Sequence, residues 1–246
     1  MIFVIVLIIT AVRIKSMDSH RISGRILAEN IAGPGMLRLV EQSMQARARK
    51  TSVTEIAVKE RKHPQAALTF DDGPDIRYTP LLLDGLKERN VRVSFFLLGE
   101  KVEQYPELVE RMQKEGHLVG NHTYHHVQLN KLNETKAREE ILKTNNLIYE
   151  TTGVYPLYLR PPFGAWKKNL ELCVEMLPVF WTIDTLDWKV QNTEKIVRTV
   201  QEQIEDGAII LMHDEYDTSV EAALQVVDEL KNQGYEFVTV DQLILP

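Results

Sequence analysis

An α/β barrel with a parallel sheet is the fold class predicted for residues 65–246, and three observations predict it. Short apolar runs alternate with helical patterns from residue 66 to the C-terminus, as repeated βα units do. Seven such runs are present, which favours a barrel over an open sheet. Polar and titratable residues gather where five of the runs end, the rim on which such folds collect their chemistry.

Residues 1–64 stand apart from this pattern. Residues 2–12, Ile-Phe-Val-Ile-Val-Leu-Ile-Ile-Thr-Ala-Val, are uncharged and mostly β-branched or aliphatic. Eleven residues are too few to span a bilayer easily and suit a signal-peptide core or a truncated anchor. No basic residue precedes the run and no clear small-x-small cleavage site follows it. Arg13, Lys15, Arg21 and Arg25 come after it, which by the positive-inside tendency favours the opposite orientation. An apolar run at the extreme N-terminus before a polar stem still reads better as an export or anchor element than as a buried strand. Membrane association through residues 2–12 and a place outside the cytoplasm are therefore expected. Residues 13–64 read as a basic stem without chemistry of its own.

Charge divides the chain at the same point. Residues 1–64 hold 11 Lys and Arg against 5 Asp and Glu, whereas residues 65–246 hold 18 against 30. The basic stem suits an anionic surface, and the acidic domain lacks the basic footprint that nucleic-acid binding requires. The single cysteine, Cys173, excludes an internal disulfide framework and a cysteine-rich zinc site. It lies in an apolar helical pattern with Leu170, Leu172, Val174, Met176 and Leu177, as a core thiol does.

Taken in order, the predicted strands are 66–70, 93–98, 117–121, 157–160, 179–184, 208–212 and 236–240. Helical patterns fall at 80–89, 106–114, 134–151, 165–177, 194–205 and 219–232. Pro80 and Pro106 sit at first-turn positions, while Gly116, Gly153, Gly207 and Gly234 sit where helices would stop.

Strand one ends in Asp71-Asp72-Gly73-Pro74. Asp, Gly and Pro are common turn residues, so a polar turn would account for this stretch alone. Two adjacent carboxylates repel each other, however, and burying either costs on the order of several kcal/mol unless a cation or hydrogen bonds compensate. His122 and His126 supply a cation site. They are four apart, so a helical turn would place both imidazoles on one face. Two His with one carboxylate form a catalytic metal arrangement that can activate water or polarise a carbonyl. His125 has the wrong spacing for that face and reads as a bystander. His63 and His117 have no partner in sequence and read as surface or structural.

Five segments together resemble the ordered motifs of the polysaccharide deacetylases, the NodB-type carbohydrate esterases. They are Thr69-Phe70-Asp71-Asp72-Gly73, His122-Thr123-x-x-His126, Arg160-x-Pro162-x-Gly164, Asp184-x-x-Asp187-Trp188 and Leu211-x-His213. The resemblance covers residues 65–246 and leaves the stem outside. It implies a distorted (β/α)7-type barrel, one divalent metal ion and hydrolysis of N-acetyl groups on hexosamine polymers. By the same resemblance, Asp72, His122 and His126 hold the metal, and Asp71 is the general base. Arg160 pairs with Asp71, His213 is the general acid, and Asp187 holds and charges His213. Trp188 and Leu211 wall the pocket for the acetyl methyl group, and the backbone N–H of Phe163 helps to stabilise the oxyanion. Many members carry Tyr where this chain has Phe163; a backbone role makes that hydroxyl dispensable.

Amide hydrolysis needs a strong nucleophile, an oxyanion sink and a proton for a poor leaving group, and this set supplies each. Zinc is the first choice of metal, although cobalt, nickel or iron suit the same ligands. The expected substrate is a cell-surface N-acetylglucosamine polymer, with peptidoglycan first. Chitin-like oligomers, muramic acid residues and O-acetylated xylan are the alternatives. A catalytically silent carbohydrate-binding wall protein on the same barrel would be expected to lack the base, the acid or a ligand, and this chain has all of them.

Overall fold

The structure, a computed structural model, describes residues 63–166 and 176–244. The expected N-terminal apolar element, the stem up to residue 62, and residues 167–175 of the expected helix with Cys173 lie outside the described residues.

Strand β1 (Gln65–Asp71) is central. It is followed by α1 (Tyr78–Glu88), β2 (Ser94–Leu97), α2 (Gly99–Gln104), α3 (Pro106–Lys114) and β3 (Leu118–Asn121). Next come α4 (Glu134–Thr152), β4 (Tyr158–Leu159), β5 (Leu177–Pro178), β6 (Ile183–Asp184) and α5 (Asp187–Val190). The chain continues through α6 (Thr193–Gln203), β7 (Ala208–His213), α7 (Asp217–Asn232), β8 (Glu236–Phe237) and α8 (Val240–Ile244). The strands form one sheet in the order β5-β4-β3-β2-β1-β7-β6, with β8 also on β1. Every pairing is parallel.

Alternation along β1 sets the two layers. Leu68 and Phe70 face the helices and join a core with Leu82 and Leu86 of α1, Met112 of α3 and Val227 of α7. Phe70 stacks on Phe95 with ring centroids 5.5 Å apart. Ala67 faces the other way and packs with Phe96, Tyr158, Val179 and Val240, so α8 stops the lower end of the curled sheet. Thr69 and Asp71 continue this inner face toward the C-terminal rim. Both sides of β1 are therefore covered, which explains its unbroken apolar run.

Local capping fixes the helix limits. Asn133 accepts the Lys136 N–H at 2.9 Å and starts α4, and Gly153, at φ 74°, ends it in the left-handed conformation. Asn192 caps α6 in the same manner through Lys195.

Three strand expectations need correction. The run 179–184 is not one strand. β5 and β6 lie at opposite edges of the sheet, and Val179–Thr182 carry the chain from one edge to the other. Only four residues make this crossing, so the sheet is curled enough to bring its edges together. The run 157–160 is reduced to two residues, between Pro156 and Pro161, because proline cannot donate to a ladder. The Leu177 and Val179 N–H groups donate to the carbonyls of Leu157 and Leu159, which leaves the missing N–H of Pro178 on the unpaired edge. Finally, 236–240 is a strand only at Glu236–Phe237. The Gln242 side chain accepts the Thr239 N–H at 3.2 Å, one half of a Thr-x-x-Gln capping box, and this turns Val240 into a helix start.

Candidate active site

Strand register brings the polar endings onto one rim. Asp71 lies level with His213, and Asp184 lies level with Leu211. Asn121, just before His122, lies level with Leu159, just before Arg160. The cleft above this rim has a volume of about 470 Å³ and is lined by Asp71, Asp72, His122, His126 and His213. Phe163, Trp181, Leu186, Trp188, Leu211, Glu215 and Tyr216 complete its walls with Asp184.

Asp71 is 3% exposed and Arg160 is wholly buried. Arg160 Nη1 donates to Asp71 Oδ1 at 2.8 Å and to Thr69 Oγ1 at 2.7 Å. Its other nitrogens reach the carbonyls of Val179, at 3.4 Å, and Phe180, at 3.5 Å. The guanidinium also lies 4.2 Å from the Phe96 ring centroid and 5.8 Å from that of Trp181. Asp71 Oδ2 remains free of Arg160 and lies 3.7 Å from His122 Nε2.

Asp72 turns out of the strand with φ 70°. Its Oδ1 lies 3.3 Å from His122 Nε2 and 3.4 Å from His126 Nε2. His122 Nδ1 meets the Arg160 carbonyl at 2.7 Å, an atom that can only accept. Nδ1 therefore carries a proton, and Nε2 is the ring nitrogen turned toward Asp72 Oδ1. That oxygen is buried and has no hydrogen-bond partner among the described residues. Burial works to raise the pKa of Asp72, but the imidazoles around it, His122 foremost, more than offset this and hold the carboxyl well below the usual range. A carboxylate oxygen and two imidazole nitrogens that converge in this way form a donor set suited to a cation between them. The three donor atoms lie within 4.8 Å of one another, as a divalent ion with tetrahedral or open coordination needs. The residues present thus fit a metal.

The acid side lies across the cleft. His213 Nδ1 donates to Asp187 Oδ1 at 2.8 Å, while Asp187 Oδ2 accepts the His213 N–H and the Ser219 hydroxyl. Burial lowers the His213 pKa, but Asp187, followed by Asp71 and Asp72, overrides it and raises the imidazole to about 9. His213 is then protonated at neutral pH, with Nε2–H turned toward the cleft and 3.9 Å from Asp72 Oδ2.

Behind the Asp72 turn sits Asp214, fully buried. Thr79 donates to its Oδ2, while Oδ1 has no hydrogen-bond partner among the described residues. A methyl group on Gly73 would overlap this carboxylate, which explains why the turn carries glycine there. Burial, with the charge of Glu215 adding to it, raises Asp214 to about 7 against the pull of Thr79 and Lys101.

Strained backbone surrounds the cleft. Asp72, Thr123, His126, Phe163 and Leu186 have φ between 52° and 70°. Such conformations cost on the order of 1–3 kcal/mol for residues other than glycine and collect at functional sites. They also correct one expectation. His122 and His126 do not share a helical turn; they bracket a loop whose left-handed residues Thr123 and His126 fold it back, leaving the ring centroids 5.0 Å apart. His125 points away to Glu140. Buried His117 accepts the Val93 N–H and plays a structural part, and His63 is exposed.

All ten expected site residues therefore border or support one cleft. Leu211 is buried, and Trp188 and Phe163 are 48% and 62% exposed. Phe163 rests its ring on His126 with centroids 4.5 Å apart. Trp181, Tyr216, Thr69 and Ser219 are further members that the sequence analysis did not assign to the site. Thr69 alone carried a signal, since it shares a strand face with Asp71.

Comparison with known proteins agrees with this arrangement. Residues 58–179 match the polysaccharide deacetylase family. A peptidoglycan-N-acetylglucosamine deacetylase of Bacillus cereus is 40% identical over 186 residues, covering 73% of this chain and 68% of that protein. The chain belongs to the polysaccharide deacetylase family. Within it, the peptidoglycan-N-acetylglucosamine deacetylase PgdA of Listeria monocytogenes is 42% identical over 185 residues, covering 75% of this chain. The match spans only 40% of the length of PgdA. The solved structure of the peptidoglycan deacetylase PdaC from Bacillus subtilis superposes with a TM-score of 0.72 at 41% identity, covering 74% of this chain and 91% of that one. The PdaC sequence, described as a peptidoglycan-N-acetylmuramic acid deacetylase, is 42% identical over 177 residues, 72% of this chain and 38% of PdaC.

Proposed function

We propose that the protein is a metal-dependent hydrolase that removes acetyl groups from N-acetylglucosamine residues of peptidoglycan. The observation that carries this reading is the buried Asp72 Oδ1, 3.3 and 3.4 Å from two imidazole nitrogens and without a hydrogen-bond partner among the described residues, with Asp71 and His213 on either side of it. Asp72, His122 and His126 hold the ion. When bound, a divalent ion supplies an activated water and polarises the acetyl carbonyl. Zinc suits the ligands best, with cobalt, nickel or iron as alternatives.

Asp71 Oδ2 takes the proton of the attacking water, while Arg160 holds Oδ1 and fixes the carboxylate plane. His213 delivers its Nε2 proton to the departing amine, and Asp187 keeps the imidazole charged and turned for that transfer. Acid and base steps each contribute on the order of 10² to 10⁴ in rate. Trp188 and Leu211 exclude water around the acetyl methyl group, and the Phe163 N–H supports the developing oxyanion. Similarity to PgdA and to the Bacillus cereus protein supports the N-acetylglucosamine assignment. Similarity to PdaC supports muramic acid residues as the second reading.

Residues 1–64 are proposed as an export or anchor element with a basic stem that places the domain against an anionic wall. No helix among the described residues is long and apolar enough to cross a membrane.

The test is acetate release from peptidoglycan, chitin oligomers and acetylated xylan, with and without a chelator. Release from peptidoglycan that stops on chelation and returns with added Zn²⁺ is expected, and Asp71→Asn should keep bound metal while losing turnover. Undiminished release after thorough chelation would end the metal reading. Xylan as the best substrate would end the peptidoglycan reading.

A further inference from the structure

We propose that Glu140, on α4 and outside the cleft, is a positioning residue that fixes the second histidine of the metal site by holding the loop between the two imidazoles. The proposal rests on the metal reading above.

The two histidines are held very differently. His122 follows β3 directly. Its N–H donates to the Leu97 carbonyl at 2.9 Å, and its ring is pinned through Nδ1 to the Arg160 carbonyl. Among the described residues nothing hydrogen-bonds to the His126 ring from behind; it rests against Phe163. The place of His126 Nε2 therefore follows from the backbone between Thr123 and His126. That backbone is strained at both ends, with φ 68° at Thr123 and 54° at His126. Such strain persists only where the surroundings over-determine the conformation.

Glu140 supplies three of the contacts that hold it. Its Oε2 accepts the N–H groups of both Tyr124, at 3.0 Å, and His125, at 2.9 Å. Its Oε1 meets His125 Nδ1 at 2.8 Å. One carboxylate thus gathers two consecutive backbone N–H groups and the His125 ring, and hydrogen bonds to a charged acceptor are roughly twice as strong as neutral ones. The opposite side of the loop is held by α2, where the Gly99 N–H donates to the Thr123 carbonyl at 2.9 Å. Asn121 ties the loop's start to the same helix as Glu140, since it accepts the Thr123 N–H and donates to the Ile141 carbonyl. Without Glu140, two backbone donors lose their acceptor and the left-handed turn can relax. His126 then leaves the ion, while His122 and Asp72 stay.

The experiment measures Zn²⁺ affinity of the full chain by competition with a chromophoric chelator, alongside thermal melting of the metal-free protein. Outer partners of metal ligands are worth about 10- to 100-fold in affinity. Glu140→Ala should weaken Zn²⁺ binding by about tenfold or more. Glu140→Gln, which keeps one oxygen for the two backbone donors, should recover most of the loss. Glu139→Ala, an exposed neighbour on the same helix, should bind as wild type. Wild-type affinity in a folded Glu140→Ala protein would overturn the proposal. Should that variant fail to fold, Glu140→Asp takes its place, because the shorter side chain cannot reach both donors; wild-type affinity there would overturn it equally. A wild-type chain that binds no Zn²⁺, Co²⁺ or Ni²⁺ would end the metal reading itself, an outcome distinct from tight binding that is indifferent to Glu140.

Discussion

Replacing Asp214 with asparagine should abolish a pH dependence of stability that this single residue imposes. Asp214 is fully buried, receives one hydroxyl from Thr79 and has its second oxygen unbonded among the described residues. Its pKa is raised from 3.8 to about 7, burial being the main cause. Between those values the folded protein keeps a proton that the unfolded chain releases. The contribution of Asp214 is therefore complete below about pH 4 and is lost as the pH rises through about 7. A separation of about three pKa units corresponds to at most about 4 kcal/mol. Asparagine has the same shape, still accepts the Thr79 proton and stays neutral throughout. The assay is urea unfolding of variant and wild type from about pH 4 to about pH 8.5, read as the difference in unfolding free energy. The difference matters because other groups titrate in the same range. His117, pushed down to about 4 by burial, gains the fold stability as pH rises toward 6.5. His213, raised to about 9, loses it above 6.5. Both contributions cancel in the comparison. Asp214→Asn should gain on wild type by several kcal/mol, about 4 at most, across that span. A difference that stays flat with pH would refute the buried-acid argument.

Two further outcomes follow from the ion pairs. Asp187→Asn removes the chief group that raises the His213 pKa, so the alkaline limb of the acetate-release profile should move to lower pH, with a rate loss at about pH 8 on the order of 10²; an unmoved limb would show that Asp187 does not charge His213. Arg160→Met leaves Asp71 buried without its cation and should cost about 3–5 kcal/mol in urea unfolding. Near wild-type stability would mean that the pair contributes little to the fold.

The rim of the barrel was legible in the sequence because five of the seven apolar runs broke off into residues that a solvated loop has no need of, such as Arg160 or the Asp187-Trp188 pair. The pairing of His122 with His126 was legible too, but for a reason the structure replaces. A spacing of four suits a helix, and here two left-handed residues achieve the same proximity in a loop. The run 179–184 misled because a short apolar segment looks alike whether it stays in one strand or crosses between two. Thr239 and Gln242 did carry a capping signature, hidden beneath residues of high strand propensity. Ser219, Asp214 and Glu140 carried none, since each meets its partner only after folding brings distant segments together.

Arg160 joins what a designer would prefer to keep separate. The side chain that orients Asp71 also bonds Val179 and Phe180, the residues that carry the chain from β5 to β6 across the seam of the curled sheet. Loss of that arginine would reduce the amount of folded protein before any change in turnover could be measured. Substituting Arg160 therefore cannot separate the proposed chemistry from the closure of the sheet, whereas His213, whose ring bonds to Asp187 and not across that seam, allows the two to be read apart.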